Sequence, residues 1–302
     1  MKKYFLLFLL FILNLDLFSA SIELNLENDC IIPNDDDSDY SHGTEIRYIS
    51  DKSYYFFDKI GFSILQNMYT PDEIDSPDIQ YGDRPYCGLL LASFIGQQYF
   101  EIPVGLVTFE HQYGIGTIGE NSFAEESQKI VHDIRGCRDP LGWHNQLSNE
   151  LILQYQLHAN LNLVFYESNN FNILAIPRTS FYLGNFRTQI EAGIDFKLGL
   201  YPTSNVGNDI MFSAENKRKF NLYFLVGFER KLVFYDASLD GNLFNDCIYH
   251  VDSEFDVGQF HYGMNLSFKN LEIEYLIIHR TKEYKGQDEP PDYGRISIKY
   301  KF

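Results

Sequence analysis

The chain of 302 residues is 45% hydrophobic and 16% aromatic, with a formal net charge of −18. So acidic a balance excludes nucleic acid as a natural partner and favours divalent cations, or anionic lipid surfaces bridged by them. No Pro/Gly/Ser linker and no repeat of 20 to 50 residues divides the chain, so it reads as one domain behind a leader.

Residues 1–20 carry Lys2 and Lys3, an apolar run from Tyr4 to Leu13, and small residues at Ser19 and Ala20. The run falls short of the roughly 20 residues of a spanning helix, so the segment reads as a secretory signal peptide, with the mature domain at 21–302. Export exposes Cys30, Cys87, Cys137 and Cys247 to an oxidising compartment; their spacing fits no zinc pattern and leaves their pairing open.

Beyond the leader the pattern has a period of two. Strands are expected at 21–29, 43–51, 56–68, 86–98, 102–116, 149–166, 171–184, 187–200, 219–236, 254–269, 271–284 and 294–302. In the longest, Leu151, Leu153, Tyr155, Leu157, Ala159, Leu161, Leu163 and Phe165 alternate with mostly polar residues. In the last, Ile296, Ile298, Tyr300 and Phe302 alternate with Arg295, Ser297, Lys299 and Lys301. Sandwich strands commonly run about 5 or 6 residues, and these are longer. Long strands with one apolar and one charged or Gly-rich face suit a closed transmembrane barrel, and 22 Tyr and 26 Phe supply its aromatic girdles. The expected fold is therefore all-β: a single 12-stranded antiparallel transmembrane β-barrel in a Gram-negative outer membrane. An even count puts both termini in the periplasm and the connections 1–2, 3–4, 5–6, 7–8, 9–10 and 11–12 outside.

Polar chemistry collects in those outer connections. Leu26–Cys30 ends strand 1, Asn34–Gly43 leads into strand 2, Met68–Tyr86 spans strands 3 and 4, and Gln128–Glu150 precedes strand 6. The third outer loop holds a short helix. Ser122 and Glu125 form a capping box, Gly136 a stop, and Phe123, Ile130, Val131 and Ile134 an apolar stripe expected to pack inward, leaving His132, one turn from Gln128, on the other side. Imidazole is the side chain suited to accept a proton near neutral pH. Asn28 and Asp29 offer oxygen donors for a hard cation such as calcium. The run Asp35, Asp37, Asp39 starts like an EF-hand, but Tyr40 and Ile46 stand where that loop needs glycine and glutamate, so it reads as a solvated acidic loop. His158 and His261 fall in lumen phase and read as structural, and His144 beside Trp143 is open to either reading.

Glu27–Asp29 (END), Tyr40–Gly43 (YSHG), Met68–Pro71 (MYTP), Gly82–Tyr86 (GDRPY), Gln128 with His132, Gly142–Glu150 (GWHNQLSNE) and Thr281–Gln287 (TKEYKGQ) together resemble the lipid A 3'-O-deacylase family of outer-membrane enzymes. The resemblance spans essentially the whole mature chain. It implies a calcium-dependent hydrolase, facing the cell exterior, that removes the 3'-linked acyl or acyloxyacyl group of lipid A in lipopolysaccharide. Carried over by position, His132 is the general base, Asn28 and Asp29 belong to the calcium and oxyanion site, and Ser41 and Gln128 complete the set. Arg84 either clamps a lipid A phosphate or braces its loop. Two departures stand out: no Lys lies between Thr70 and Pro85, and Arg138 occupies a position six after His132 where the family can carry an acid. The competing expectations are an outer-membrane phospholipase with Ser41 as nucleophile and a non-catalytic barrel acting as pore or adhesin.

Overall fold

Period-two patterning over this length closes on itself. The computed structural model describes residues 20–32, 39–135, 139–168, 171–200 and 220–302; the expected leader, apart from Ala20, lies outside them. The strands are β1 (Ala20–Asn28), β2 (Asp39–Ser50), β3 (Lys59–Thr70), β4 (Cys87–Ile102), β5 (Gly105–Ile118) and β6 (Glu150–Glu167), then β7 (Asn172–Gly184), β8 (Arg187–Leu200), β9 (Phe220–Asp236), β10 (Asp256–Phe268), β11 (Leu271–Arg280) and β12 (Asp292–Lys301). Each pairs antiparallel with its sequence neighbours, and β1 pairs with β12, so the twelve-stranded barrel has no free edge. Ladder bonds satisfy the backbone of every strand, which a lipid environment requires. No helix of the described residues is long and apolar enough to cross a membrane.

Three boundaries move by four residues from expectation. β4 runs on to Ile102, past 98, because its pairing with β5 continues as far as Ile102 and Gly105. β2 begins at Asp39, ahead of 43, because pairing with β3 resumes across an irregularity between Asp39 and His42. β11 stops at Arg280, short of 284, because the chain turns there: Gly286 takes a positive φ of 89° and Tyr284 bridges to Ser253.

The two ends of the barrel differ. At one, the terminal rim, the start of β1 meets the end of β12 (Phe302 N donates to Ala20 O at 2.9 Å) and the turns at 103–104 and 269–270 are tight. At the other, the loop rim, gather the described residues 29–32, 71–86, 119–135, 139–149, 237–255 and 281–291, with only Asn185 and Phe186 between β7 and β8.

Parity sorts the side chains. The lumen holds ion pairs: Arg47 to Glu110 at 2.7 Å, Arg178 between Asp195 at 3.2 Å and Glu229, and Lys231 with Glu191 at 3.5 Å. His158 bonds Ser180 at 2.9 Å and His261 bonds Asp195 at 3.0 Å, so both histidines serve this interior. Residues of opposite phase, among them Ile46, Ile115, Leu151, Leu153 and Phe228, stand exposed as a lipid-facing band. Cys87 and Cys247 are free thiols, while the Cys30 side chain and Cys137 lie outside the described residues.

Candidate active site

Parity also locates the site. Near the loop rim, Glu27, Gly43, Asn67 and Leu89 line a lumen cavity of about 200 Å³. Their strand neighbours Asn28, His42, Met68 and Gly88 therefore project from the outer wall. Register ties them together: Glu27 pairs with Gly43, His42 with Met68, and Met68 with Gly88. They form one row across β1 to β4, spanning three inter-strand steps, or about 14 Å.

The loop helix α1 (Ala124–Arg135) lies over the β3–β4 end of this row. Gly88 makes the approach possible, because a Cβ built there would stand 2.1 Å from Ser122 Oγ and 2.4 Å from Ala124 Cβ. Gln66 Nε2 donates to Ser122 O at 2.7 Å, a second tie from the outer wall to the start of the helix. Beneath the helix, Met68, Tyr86, Ala124 and Trp143 form a buried cluster, with the Tyr86 and Trp143 rings 5.0 Å apart. The MYTP, GDRPY and GW segments thus supply the floor on which α1 rests.

The helix is rotated relative to the expectation from its sequence. Ala124, Gln128 and His132, at i, i+4 and i+8, are the buried face, whereas Phe123 and Ile130 are each 59% exposed and Val131 is exposed too. The wall side carries small and polar groups because it meets glycine and polar side chains. Phe123, Ile130 and Val131 turn to the lipid side, and the Ile134 side chain lies outside the described residues. Ser122 is not the N-cap either: it sits in the 3-10 turn Glu120–Ser122, and Phe123, at φ 57°, joins that turn to the helix.

His132 is 6% exposed and Gln128 5%. Trp143 Nε1 donates to Gln128 Oε1 at 2.7 Å, so the indole fixes the amide one turn before the imidazole. Asn28 closes β1 opposite Gly294, and the following 3-10 turn Asp29–Ile31 folds over the outer face of β12: Ile31 lies against Gly294 and Tyr275 Oη donates to Ile31 O at 3.3 Å. Asp29 is only 2% exposed. Ser41 lies in β2 next to His42, with its side chain outside the described residues. Among the described residues, no three His, Cys, Asp or Glu side chains converge as a metal cluster.

Arg84 is 2% exposed, stacks on Tyr69 at 4.7 Å, pairs with Glu283 Oε2 at 3.5 Å and reaches Ser238 Oγ at 3.4 Å. This is a brace among three rim loops. Burial alone would raise the Glu283 pKa, but Arg280 and Arg84 hold it below the usual glutamate range. The neighbouring Asp83 accepts from Tyr284 Oη at 2.7 Å and from Asp72 N at 2.8 Å, so GDRPY and TKEYKGQ clamp each other. Glu150 is also structural: it accepts from Asn185 Nδ2 at 3.0 Å, Phe244 N at 3.0 Å and Asn245 N at 3.2 Å. Among the described residues His144 bonds only its own loop, at Leu141 O.

The profile of the family described as outer membrane protein LpxR matches residues 6–302. Among solved structures, LpxR from Salmonella typhimurium superposes with a TM-score of 0.79 at 19% identity, covering 93% of this chain and 100% of that one. The translocator domain of the autotransporter NalP from Neisseria meningitidis gives a TM-score of 0.45 at 10% identity, covering 100% of this chain and 95% of its own. The beta domain of the Bordetella autotransporter BrkA gives 0.47 at 8%, covering 94% and 98%. No curated protein sequence matches the chain.

Proposed function

Because the chain belongs to the outer membrane protein LpxR family, we propose that this outer-membrane barrel is a lipid A deacylase that hydrolyses the 3'-linked ester in the outer leaflet. The observation that carries the reading is the burial of His132 on the same face of α1 as Ala124 and Gln128, at the loop rim and beside the outer wall; in this reading that rim lies among the lipid headgroups. A substrate whose acyl chains remain in the leaflet reaches such a shelf sideways, whereas a soluble ester would need the lumen.

In this reading His132 takes a proton from water as the water oxygen attacks the ester carbonyl carbon. The tetrahedral oxyanion then collapses, the carbon–oxygen bond to the sugar breaks, and the imidazolium returns its proton to the departing sugar oxygen. Fatty acid and sugar hydroxyl are the products, so no covalent intermediate is needed. Gln128, held by Trp143, orients the helix face that presents the base. The exposed Phe123, Ile130 and Val131 line the lipid side, where acyl chains pass.

Calcium is the cofactor this reading implies. Asn28 and Asp29 fit a hard cation in donor chemistry, an amide and a carboxylate oxygen side by side, but calcium takes about six to eight oxygens. Backbone carbonyls, water and substrate must supply the rest. When bound, it provides positive charge where the carbonyl oxygen becomes anionic. Arg84, buried and paired, is assigned the bracing role and not the phosphate clamp.

The test is mass spectrometry of lipid A from cells expressing the chain. Wild type should remove the mass of the 3'-linked acyl or acyloxyacyl group, and His132→Ala should not. Unchanged lipid A with correctly inserted wild-type protein would sink the reading, and a serine-phosphonate adduct on Ser41 would replace it with the serine mechanism.

A further inference from the structure

Asn28 and Asp29 are adjacent in sequence, and in an uninterrupted strand adjacent side chains fall on opposite faces of the wall. Glu27 lines the lumen, so Asn28 has outward phase. A strand that ran on would send Asp29 into the lumen, away from any ion that Asn28 holds. The chain instead ends β1 at Asn28 and enters the 3-10 turn Asp29–Ile31, closed by Ile32 N donating to Asp29 O at 3.0 Å.

Two residues of the neighbouring wall decide where that turn lies. Gly294, the β12 partner of Asn28, is outward in phase, since Arg295 beside it lines the lumen. A Cβ built on Gly294 would stand 2.5 Å from Ile31 Cγ2 and 2.7 Å from Ile31 Cβ, so a larger residue would lift the turn off the strand. Tyr275, one strand further round on β11, also projects outward, because Glu274 and Leu276 line the lumen. Its Oη donates to Ile31 O at 3.3 Å. The turn therefore crosses the outer face of β12 and is tied at its far end to β11. The strand beneath resists yielding, because both neighbours of Gly294 are pinned inside the barrel. Tyr293 is buried and accepts from Arg280 Nη2, and Arg295 pairs with Glu27 at 3.5 Å.

We propose that Gly294 and Tyr275 are positioning residues of the cation site. They seat the Asp29–Ile31 turn on the outer face of β12, so that Asn28 and Asp29, neighbours that a continuing strand would part, serve one ion. The Tyr275 hydroxyl is spent on Ile31 O, so it acts through the turn and not on the ion itself. The base has a separate seat, since α1 rests on β3 and β4. Disturbing the turn therefore changes how tightly the ion is held and leaves His132 in place. This rests on the deacylase reading above for the identity of the ion as calcium.

The experiment is isothermal titration of calcium chloride into the purified full-length barrel in detergent, stripped of calcium beforehand with a chelator. Wild type should bind one ion. Gly294→Ala should weaken that binding about tenfold, the scale on which groups that orient metal ligands act. Tyr275→Phe, which loses one hydrogen bond and no space, should weaken it about threefold. Ile298→Ala, an outward position lower on the same strand, should bind like wild type. Heat-modifiable gel migration verifies that each variant is folded. A calcium series in the deacylation assay gives the second readout: both variants should need more calcium for half-maximal rate and approach the wild-type rate once calcium saturates. Wild-type affinity in both variants would overturn the proposal, as would no calcium binding by the folded wild type, or a rate loss that saturating calcium leaves in place. Because the titration contains no lipid, unchanged lipid A in expressing cells would end the deacylase reading while the calcium affinities still decide this one.

Discussion

Gly88→Ala tests the seating of the loop helix on the outer wall. The new methyl carbon would lie 2.4 Å from Ala124 Cβ and 2.1 Å from Ser122 Oγ, against 3.4–4 Å for ordinary contact. Neither neighbour is the end of a long side chain, so relief requires the start of α1 to move outward by about 1 Å. Overpacking of this kind costs roughly 1–3 kcal/mol, small against a barrel closed by twelve ladders. A 1 Å displacement of a catalytic group, in contrast, costs on the order of 10²-fold in rate. The variant should therefore insert, migrate and melt like wild type while releasing acyl chains about a hundredfold more slowly. The assay is initial rate on lipid A in mixed micelles, alongside a thermal melt. Wild-type rate in Gly88→Ala would refute the argument that His132 is positioned through this contact.

Three further outcomes follow from the same geometry. Trp143→Phe leaves the buried Gln128 Oε1 without its indole donor, which should lower the opening free energy of α1 by roughly 1–3 kcal/mol, read as faster amide exchange confined to the helix. Asp29→Ala should weaken activity in a way that added calcium partly restores; indifference to both the substitution and a chelator would remove Asp29 from the cation site. The Glu283 carboxyl is held below its ordinary range by Arg280 and Arg84. Its contribution is therefore complete above the unfolded value of about 4.3 and lost as pH falls through the lower folded value. Proteolysis of the loop 281–291 should accelerate in that acid window, and Glu283→Gln should flatten the dependence; an unchanged profile would mean another group governs it.

The barrel was legible because alternation is a local signal repeated twelve times, and Leu151–Phe165 or Ile296–Phe302 states it without help from tertiary context. The even strand number followed, and with it the gathering of the motifs at one rim. The rotation of α1 was not legible. A stripe of Phe123, Ile130 and Val131 normally faces protein, and only a wall that itself faces lipid inverts that rule. The spacing of Ala124, Gln128 and His132 and the glycine at position 88 were the available hints, but they acquire meaning only once β4 is known to lie beneath. Arg84 was ambiguous for a related reason. Its partners Glu283, Ser238 and Tyr69 are distant in sequence, and no short-range pattern distinguishes a buried brace from an exposed clamp.

The most direct measurement is acyl release by the purified barrel reconstituted with lipid A in calcium-containing vesicles, compared with His132→Ala. The account predicts stoichiometric appearance of free 3'-linked fatty acid with the wild type and a drop of at least about 10²-fold with the variant. Release that continues undiminished in His132→Ala, or that never occurs with the folded wild type, would contradict it.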